Sequence, residues 1–176
     1  DFIKFFRSFF FNQKKKLPDF VSLDLKTSRL DTQIEYIVNG VCLGDYDIDL
    51  YKTDKKTDTN FFIQESNLEI IVSEKLVEKS KNLAQIGQET ALTQIRILDL
   101  VNEPANKKYP QKIADFAIES GRKHGFDVKV FDEKECESIG LHALLAVGRG
   151  STQNPARFII MEYVSTTPNP KTIGLV

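Results

Sequence analysis

The stretch of residues 74–101 constrains the fold of this sequence more than any other feature. Its apolar residues recur with helical spacing and form one broad face, at Leu83, Ile86, Ala91, Ile95 and Leu98. Gly87 lies inside this pattern and is expected to weaken the helix by about 1 kcal/mol relative to alanine. Strand-like sequence lies on both sides of the stretch. The pattern therefore predicts a long helix that connects two strand-bearing domains.

The sequence opens with a second helical pattern, which is rich in phenylalanine. Four phenylalanines carry the spacing: Phe2, Phe5, Phe6 and Phe9. One interpretation is the core face of a helix whose partner strands lie upstream; the other is a targeting or membrane-surface helix. Because residue 1 is Asp and not Met, we expect the first. The three lysines at 14–16 are expected to form a solvated helix end.

Strand and helix patterns alternate through the rest of the sequence. Strands are predicted at residues 20–25, 68–72, 128–131, 157–164 and 172–176. Helices are predicted at 30–41 and 133–139, and from Pro110 with a buried face of Ile113, Phe116, Ala117 and Ser120. Residues 44–60 are predicted to form a loop, and residues 141–147 fit either a helix or a strand. The alternation predicts α/β layers with a largely parallel sheet.

Composition excludes some classes of partner and compartment. The 24 basic and 25 acidic residues give a net charge of -1, which offers no reason to expect nucleic acid as a partner. No apolar stretch is long enough for a membrane span, so no membrane partner is expected. Cys42 and Cys136 are far apart in sequence, which favours a reducing compartment over a disulfide framework.

Three aspartates alternate in the way that calcium-loop ligands do. They are Asp45, Asp47 and Asp49. A calcium loop also needs Gly at its sixth position and Glu at its twelfth, where this sequence has Leu50 and Lys56. The sequence therefore predicts no calcium site here.

The other candidate motifs also lack part of their chemistry. The Gly-Arg-Gly-Ser-Thr run at residues 148–152 resembles a phosphate cradle, but it is neither a P-loop nor a dinucleotide fingerprint, and a tight turn is expected. His124 is expected at a helix end. His142 lies in an apolar segment and is expected in the core or at its boundary. Two histidines without metal-ligand spacing predict no catalytic set.

Three motifs occur in the order and spacing of one known family. They are Gly-Val-Cys-Leu-Gly-Asp-Tyr-Asp-Ile-Asp-Leu-Tyr-Lys at 40–52, Leu-Val-Asn-Glu-Pro-Ala-Asn at 100–106 and Ala-Leu-Leu-Ala-Val-Gly-Arg-Gly-Ser at 143–151. Together they resemble the leucyl (cytosol) aminopeptidase family. Within the second motif, Pro104 is expected to end the long helix, and Asn102 and Asn106 to satisfy helix-end groups.

The resemblance implies both a fold and a function. It implies a partial N-terminal α/β domain at 1–81, a linking helix at 82–101 and the first part of an α/β aminopeptidase catalytic domain at 102–176. The implied parent enzyme removes N-terminal residues from peptides with two divalent metal ions, Zn or Mn. It is also implied to be hexameric and cytoplasmic. The alternative function is a non-catalytic α/β binding or scaffold module.

The resemblance also implies where the catalytic residues lie. In the family, the lysine and metal-ligand segment follows a strand like residues 173–176. We therefore expect that segment beyond Val176, assign no catalytic, cofactor-binding or metal-binding residue to this sequence, and expect these 176 residues alone to be inactive.

Overall fold

The computed structural model describes residues 1–26, 30–48, 61, 67–151 and 153–175. They form two compact units, Asp1–Glu103 and Pro104–Val176. Each unit is considered by itself below.

The first unit contains helices and a parallel pair of strands. Its elements are α1 (Phe2–Gln13), β1 (Phe20–Asp24), α2 (Ile34–Asp45), β2 (Asn67–Ile71) and α3 (Val77–Asn102). β1 and β2 pair in parallel from Phe20↔Asn67 to Asp24↔Ile71. The helices and strands predicted for this unit are therefore confirmed, with ends that differ by a few residues. The predicted loop lies mostly outside the described residues.

The core of this unit depends on a close contact between α1 and α2. A Cβ added at Gly40 would lie 2.6 Å from the carbonyl oxygen of Ile3, and one added at Gly44 would lie 2.7 Å from that of Arg7. Two glycines four residues apart share one face of a helix, so this face of α2 lets the backbone of α1 approach. The Phe-rich helix predicted at the start of the sequence therefore packs against α2.

The buried face of α1 differs from the predicted one. Phe6 and Phe10 are buried, whereas Phe2, Phe5 and Phe9 are exposed by 36%, 63% and 43%. The buried residues Phe6 and Phe10 pack on α2, which follows α1 in the sequence, and the expected partner strands upstream of α1 stay a prediction. Because the phenylalanines of α1 span a face broader than the one that α2 covers, periodicity alone could not select Phe6 and Phe10 as the buried pair.

The long helix α3 also packs through a glycine. Ala91 is fully buried, but Ile86, which was predicted on the buried face, is 42% exposed. A Cβ at Gly87 would clash with the carbonyl oxygen of Glu35 on α2. The Asn39 amide donates to the Gly87 carbonyl oxygen at 3.5 Å. The glycine that weakens α3 is therefore what permits its close approach to α2.

The second unit contains three helices and two strands among its described residues. They are α4 (Pro110–His124), β3 (Asp127–Phe131), α5 (Glu133–Ser138), α6 (His142–Gly148) and β4 (Phe158–Glu162). The segment that fitted helix or strand is the helix α6. Pro110 opens α4 as predicted, and Gly125 ends it with a φ of 74°. Ala117 is buried as predicted, but Ile113 is 37% exposed and the buried positions are Ala114 and Gly121.

Strand direction in this unit departs from the prediction. β3 and β4 pair antiparallel, and Phe131 at the end of β3 lies opposite Phe158 at the start of β4. The largely parallel sheet is therefore wrong here, because α5 and α6 return the chain to the same end of β3 from which it left. The strand predicted at 172–176 is also wrong for the described residues up to Leu175, since Ile173 and Leu175 are 82% and 94% exposed and form no strand.

Candidate functional site

A cluster of polar side chains lies where α2 ends. The helix stops at Asp45, and Tyr46 takes an extended backbone conformation with φ -64° and ψ 133°. In extended backbone, successive side chains point to opposite sides. The Tyr46 side chain contacts Asp99, whereas the Asp47 carboxylate contacts Nζ of Lys14, which also donates to the backbone carbonyl oxygen of Asp45.

Lys14 is the cation of this cluster. Its Nζ donates to the carbonyl oxygen of Asp45 at 3.0 Å and lies 2.8 Å from Oδ2 of Asp47. It also lies 5.3 Å from the centre of the Phe11 ring. The prediction of a solvated lysine is wrong for Lys14, which is 5% exposed. Burial of the ammonium is compensated by a carboxylate and by a carbonyl at the negative end of the α2 dipole.

Both described aspartates of the alternating series are therefore engaged by protein groups. Oδ1 of Asp45 accepts a hydrogen bond from the backbone N–H of Phe61 at 2.6 Å. Asp49 lies outside the described residues. Across the part of the chain that the structure describes, no three His, Cys, Asp or Glu side chains are grouped so that they could hold a metal ion.

Tyr46 faces the last turns of α3. Its hydroxyl donates to Oδ1 of Asp99 at 2.7 Å, and the amide of Asn102 lies 3.5 Å from the same hydroxyl oxygen. Burial raises the pKa of Tyr46, and the hydrogen bond to Asp99 raises it further. The hydroxyl therefore keeps its proton at neutral pH and acts as a donor. Asn102, expected to satisfy helix-end groups, contacts this hydroxyl with its side chain.

Cys42, three residues before Asp45, has a thiol of low reactivity. Burial raises the pKa of Cys42 to about 11, and the charge of Asp45 adds to the effect. A thiol with this pKa is protonated at neutral pH and is a poor nucleophile. Cys42 and Cys136 are both free, and Cys136 is buried.

In the second unit, the glycine-rich segment forms the predicted turn. Gly148 ends α6, and the N–H of Ser151 donates to its carbonyl oxygen at 3.0 Å. A Cβ at Gly148 would lie 2.7 Å from Cβ of Ala156, so a close side-chain approach requires the glycine. Nε of Arg157 donates to Oε1 of Gln111 at 2.7 Å. These contacts give the segment a structural role.

The two histidines lie on different helices and are both exposed. His124 is in the last turn of α4, as predicted. His142 is the first residue of α6 and is exposed, so its expected place at the core is wrong. The helix α6 buries Leu145 instead. Neither histidine takes part in a described cluster with metal-binding capacity.

A cleft in the first unit is lined mainly by apolar residues. It has a volume of about 420 Å³ and lies between β2 and α3, lined by Ile70, Val72, Val77, Ser80, Lys81 and other residues. No described residue in it forms a nucleophile–base pair or a metal-ligand set. The described lining residues therefore suggest no catalytic reaction in this cleft. The structure also contains no described helix long and apolar enough to cross a membrane.

Comparison with known proteins shows which family this chain is similar to. Residues 96–176 match the family model described as "Cytosol aminopeptidase family, catalytic domain". The chain is 38% identical over 141 residues to a probable cytosol aminopeptidase of Persephonella marina, covering 80% of this chain and 27% of that protein. For one of Clostridium perfringens the identity is 36%, covering 80% of this chain and 28% of that protein. The chain thus spans about a quarter of the length of these relatives.

Solved structures confirm the fold class. The bottromycin maturation enzyme BotP matches with a TM-score of 0.72 at 22% identity, covering 92% of this chain and 34% of that one. A mutant of tomato leucine aminopeptidase matches with a TM-score of 0.74 at 18% identity, covering 97% of this chain and 34% of that one. The chain has the fold of part of an α/β aminopeptidase. By sequence it is a relative of the leucyl (cytosol) aminopeptidase family, which confirms the predicted resemblance.

Sequence reasoning missed the contacts that join the motifs. Tyr46 lies in the first motif and Asn102 in the second, and the structure brings them together. Their membership in two family motifs was the available signal. Lys14 carried no such signal, because nothing in its neighbourhood distinguishes it from the exposed Lys15 and Lys16.

Proposed function

We propose that this chain is part of a metal-dependent leucyl aminopeptidase that hydrolyses N-terminal residues from peptides. The observation that carries the proposal is the match of residues 96–176 to the catalytic domain of the family. In this proposal, residues 1–81 form part of the N-terminal α/β domain, residues 82–101 the linking helix and residues 102–176 the first part of the catalytic domain. The names of the curated relatives support an aminopeptidase of the cytosol.

The metal requirement belongs to the parent enzyme in this proposal. A structure of BotP in complex with Mn supports the use of divalent metal, and we propose two ions, Zn or Mn, in the whole protein. The described residues of this chain do not fit such a centre, because they bring no three donor side chains together. No catalytic step is therefore assigned to them. We propose that the ligands come from other sequence of the parent and that these 176 residues alone are inactive.

The proposal extends to partners and assembly. Peptides are the expected substrates, a homohexamer the expected assembly and the cytoplasm the expected location. Neither nucleic acid nor membrane is expected as a partner. The balanced charge of the sequence supports the expectation about nucleic acid. The alternative is a non-catalytic α/β binding or scaffold module.

The test compares the natural gene product that carries this sequence with the isolated 176-residue chain. Both are assayed with leucyl-p-nitroanilide after dialysis against a chelator, and again after addition of Mn²⁺ or Zn²⁺. The gene product is expected to hydrolyse the substrate only with metal. The isolated chain is expected to be inactive under every condition, and its oligomeric state is checked in parallel by light scattering.

Two results would contradict this proposal. A gene product that is folded but inactive with either metal on a panel of aminoacyl anilides would favour the scaffold alternative. Metal-dependent hydrolysis by the isolated chain would show that its own residues complete the site.

A further inference from the structure

The contact between Tyr46 and α3 lies at the start of the sequence that matches the catalytic domain. Asp99 and Asn102 are inside the matched residues 96–176, and Tyr46 is outside them. The Tyr46 hydroxyl donates to Asp99 at 2.7 Å and lies 3.5 Å from the Asn102 amide nitrogen. We propose that Tyr46 is a positioning residue that fixes the last turn of α3, where the catalytic-domain sequence begins, to the helix α2.

The partners of Tyr46 make it suited to this role. A hydrogen bond from a hydroxyl to a carboxylate is charge-assisted and about twice as strong as a neutral one. A tyrosine hydroxyl has an ordinary pKa of about 10 and that of Tyr46 is raised, so the donor is present across the physiological pH range.

Tyr46 is itself held from the opposite side. The residues before and after it, Asp45 and Asp47, both contact the buried Nζ of Lys14, at 3.0 Å and 2.8 Å. Because Lys14 follows α1, the short segment around Tyr46 joins α1, α2 and α3 at one point. Because the residues on either side of Tyr46 are held by Lys14, the Tyr46 side chain can restrain Asp99 instead of moving with it.

The end of α3 needs such a restraint. The helix ends at Asn102, Glu103 is extended, and Pro104 cannot continue the hydrogen-bond ladder. Terminal helical turns fray because their last carbonyl groups lack intrahelical partners. A bond to Asp99 within the last turn opposes that fraying. This inference concerns local structure and does not depend on the proposed peptidase activity.

The experiment measures amide hydrogen exchange by mass spectrometry in the natural gene product. Tyr46→Phe removes the donor, and Tyr36→Phe, within α2 at a side chain that is 45% exposed, is the matched control. Peptides covering residues 96–103 are expected to exchange about tenfold faster in Tyr46→Phe, which corresponds to a loss of about 1.4 kcal/mol. Tyr36→Phe is expected to leave them unchanged.

A second pair of variants tests the acceptor. Asp99→Asn keeps a carbonyl oxygen that can accept from Tyr46, and it is expected to exchange more slowly than Asp99→Leu, which keeps none. This comparison also decides the matter if Tyr46→Phe does not fold. Exchange at 96–103 within about twofold of the parent in Tyr46→Phe and Asp99→Leu would overturn the inference. Acceleration spread equally over residues 1–103 would overturn it too, because it would indicate global destabilisation.

Discussion

Replacing Lys14 by Met tests how much the buried ion pair stabilises the first unit. Methionine keeps most of the apolar stem and removes the ammonium that contacts Asp45 and Asp47. The Lys14 side chain is 2% exposed and that of Asp47 is 25% exposed. The substitution therefore leaves the Asp47 carboxylate without its cation at a position where water reaches it only in part.

The magnitude follows from the burial of the two partners. Removing one member of a buried ion pair costs about 3–5 kcal/mol. Water can reach part of the Asp47 carboxylate, so we expect the lower end, about 3 kcal/mol. Lys15→Met is the matched control, because Lys15 is the adjacent lysine and is exposed. A surface change of that kind is expected to stay within about 0.5 kcal/mol.

Urea unfolding followed by far-ultraviolet circular dichroism measures both variants. With a slope of about 1–3 kcal/mol/M, a loss of 3 kcal/mol lowers the midpoint by about 1–3 M. Asp47→Asn, added to Lys14→Met, is expected to recover part of the loss, because it removes the second charge of the pair. Equal urea midpoints for Lys14→Met and Lys15→Met would refute the argument that the buried ion pair contributes to the free energy of unfolding.

Two further predictions concern packing and thiol chemistry. Gly44→Ala is expected to lower the free energy of unfolding by about 1–3 kcal/mol, because its Cβ would press on the α1 backbone. Gly150→Ala is the control, because the space around Gly150 is more open. Equal thermal midpoints for the two variants would contradict the packing argument. Cys42, with a pKa of about 11, is expected to react with iodoacetamide at pH 8 about a hundredfold more slowly in the folded than in the urea-unfolded protein. Peptide mapping of the alkylated protein measures both rates, and similar rates at pH 8 would contradict the burial of this thiol. Because the thiol has a lower pKa in the unfolded chain than in the fold, Cys42 also lowers the free energy of unfolding as pH rises from about 9 to about 11.

Most secondary structure was predictable because it depends on local pattern. Helical periodicity located α3 in advance, and the restricted geometry of proline marked the start of α4 at Pro110 and the end of α3 before Pro104. These features depend on a residue and its near neighbours. The family resemblance was equally local, because short motifs in order were enough to identify it.

The sequence by itself did not determine which surfaces would meet. It placed six phenylalanines near α1, but the position of α2 decided that Phe6 and Phe10 are the buried ones. It marked Gly87 as a weak point, whereas the structure shows that a backbone oxygen of α2 occupies the place of its side chain. It gave no sign that the strands of the second unit run antiparallel.

The polar cluster around Tyr46 shows the same division. The sequence supplied Tyr46, Asp47 and Asn102 inside recognisable motifs, and it excluded a calcium loop because required positions are missing. Only the tertiary structure decided that Lys14 is buried against Asp47 and that Tyr46 reaches Asp99, 53 residues away. The physical reason is that backbone sterics and periodicity act over a few residues, whereas burial and charge pairing depend on elements that the fold brings together from distant parts of the chain.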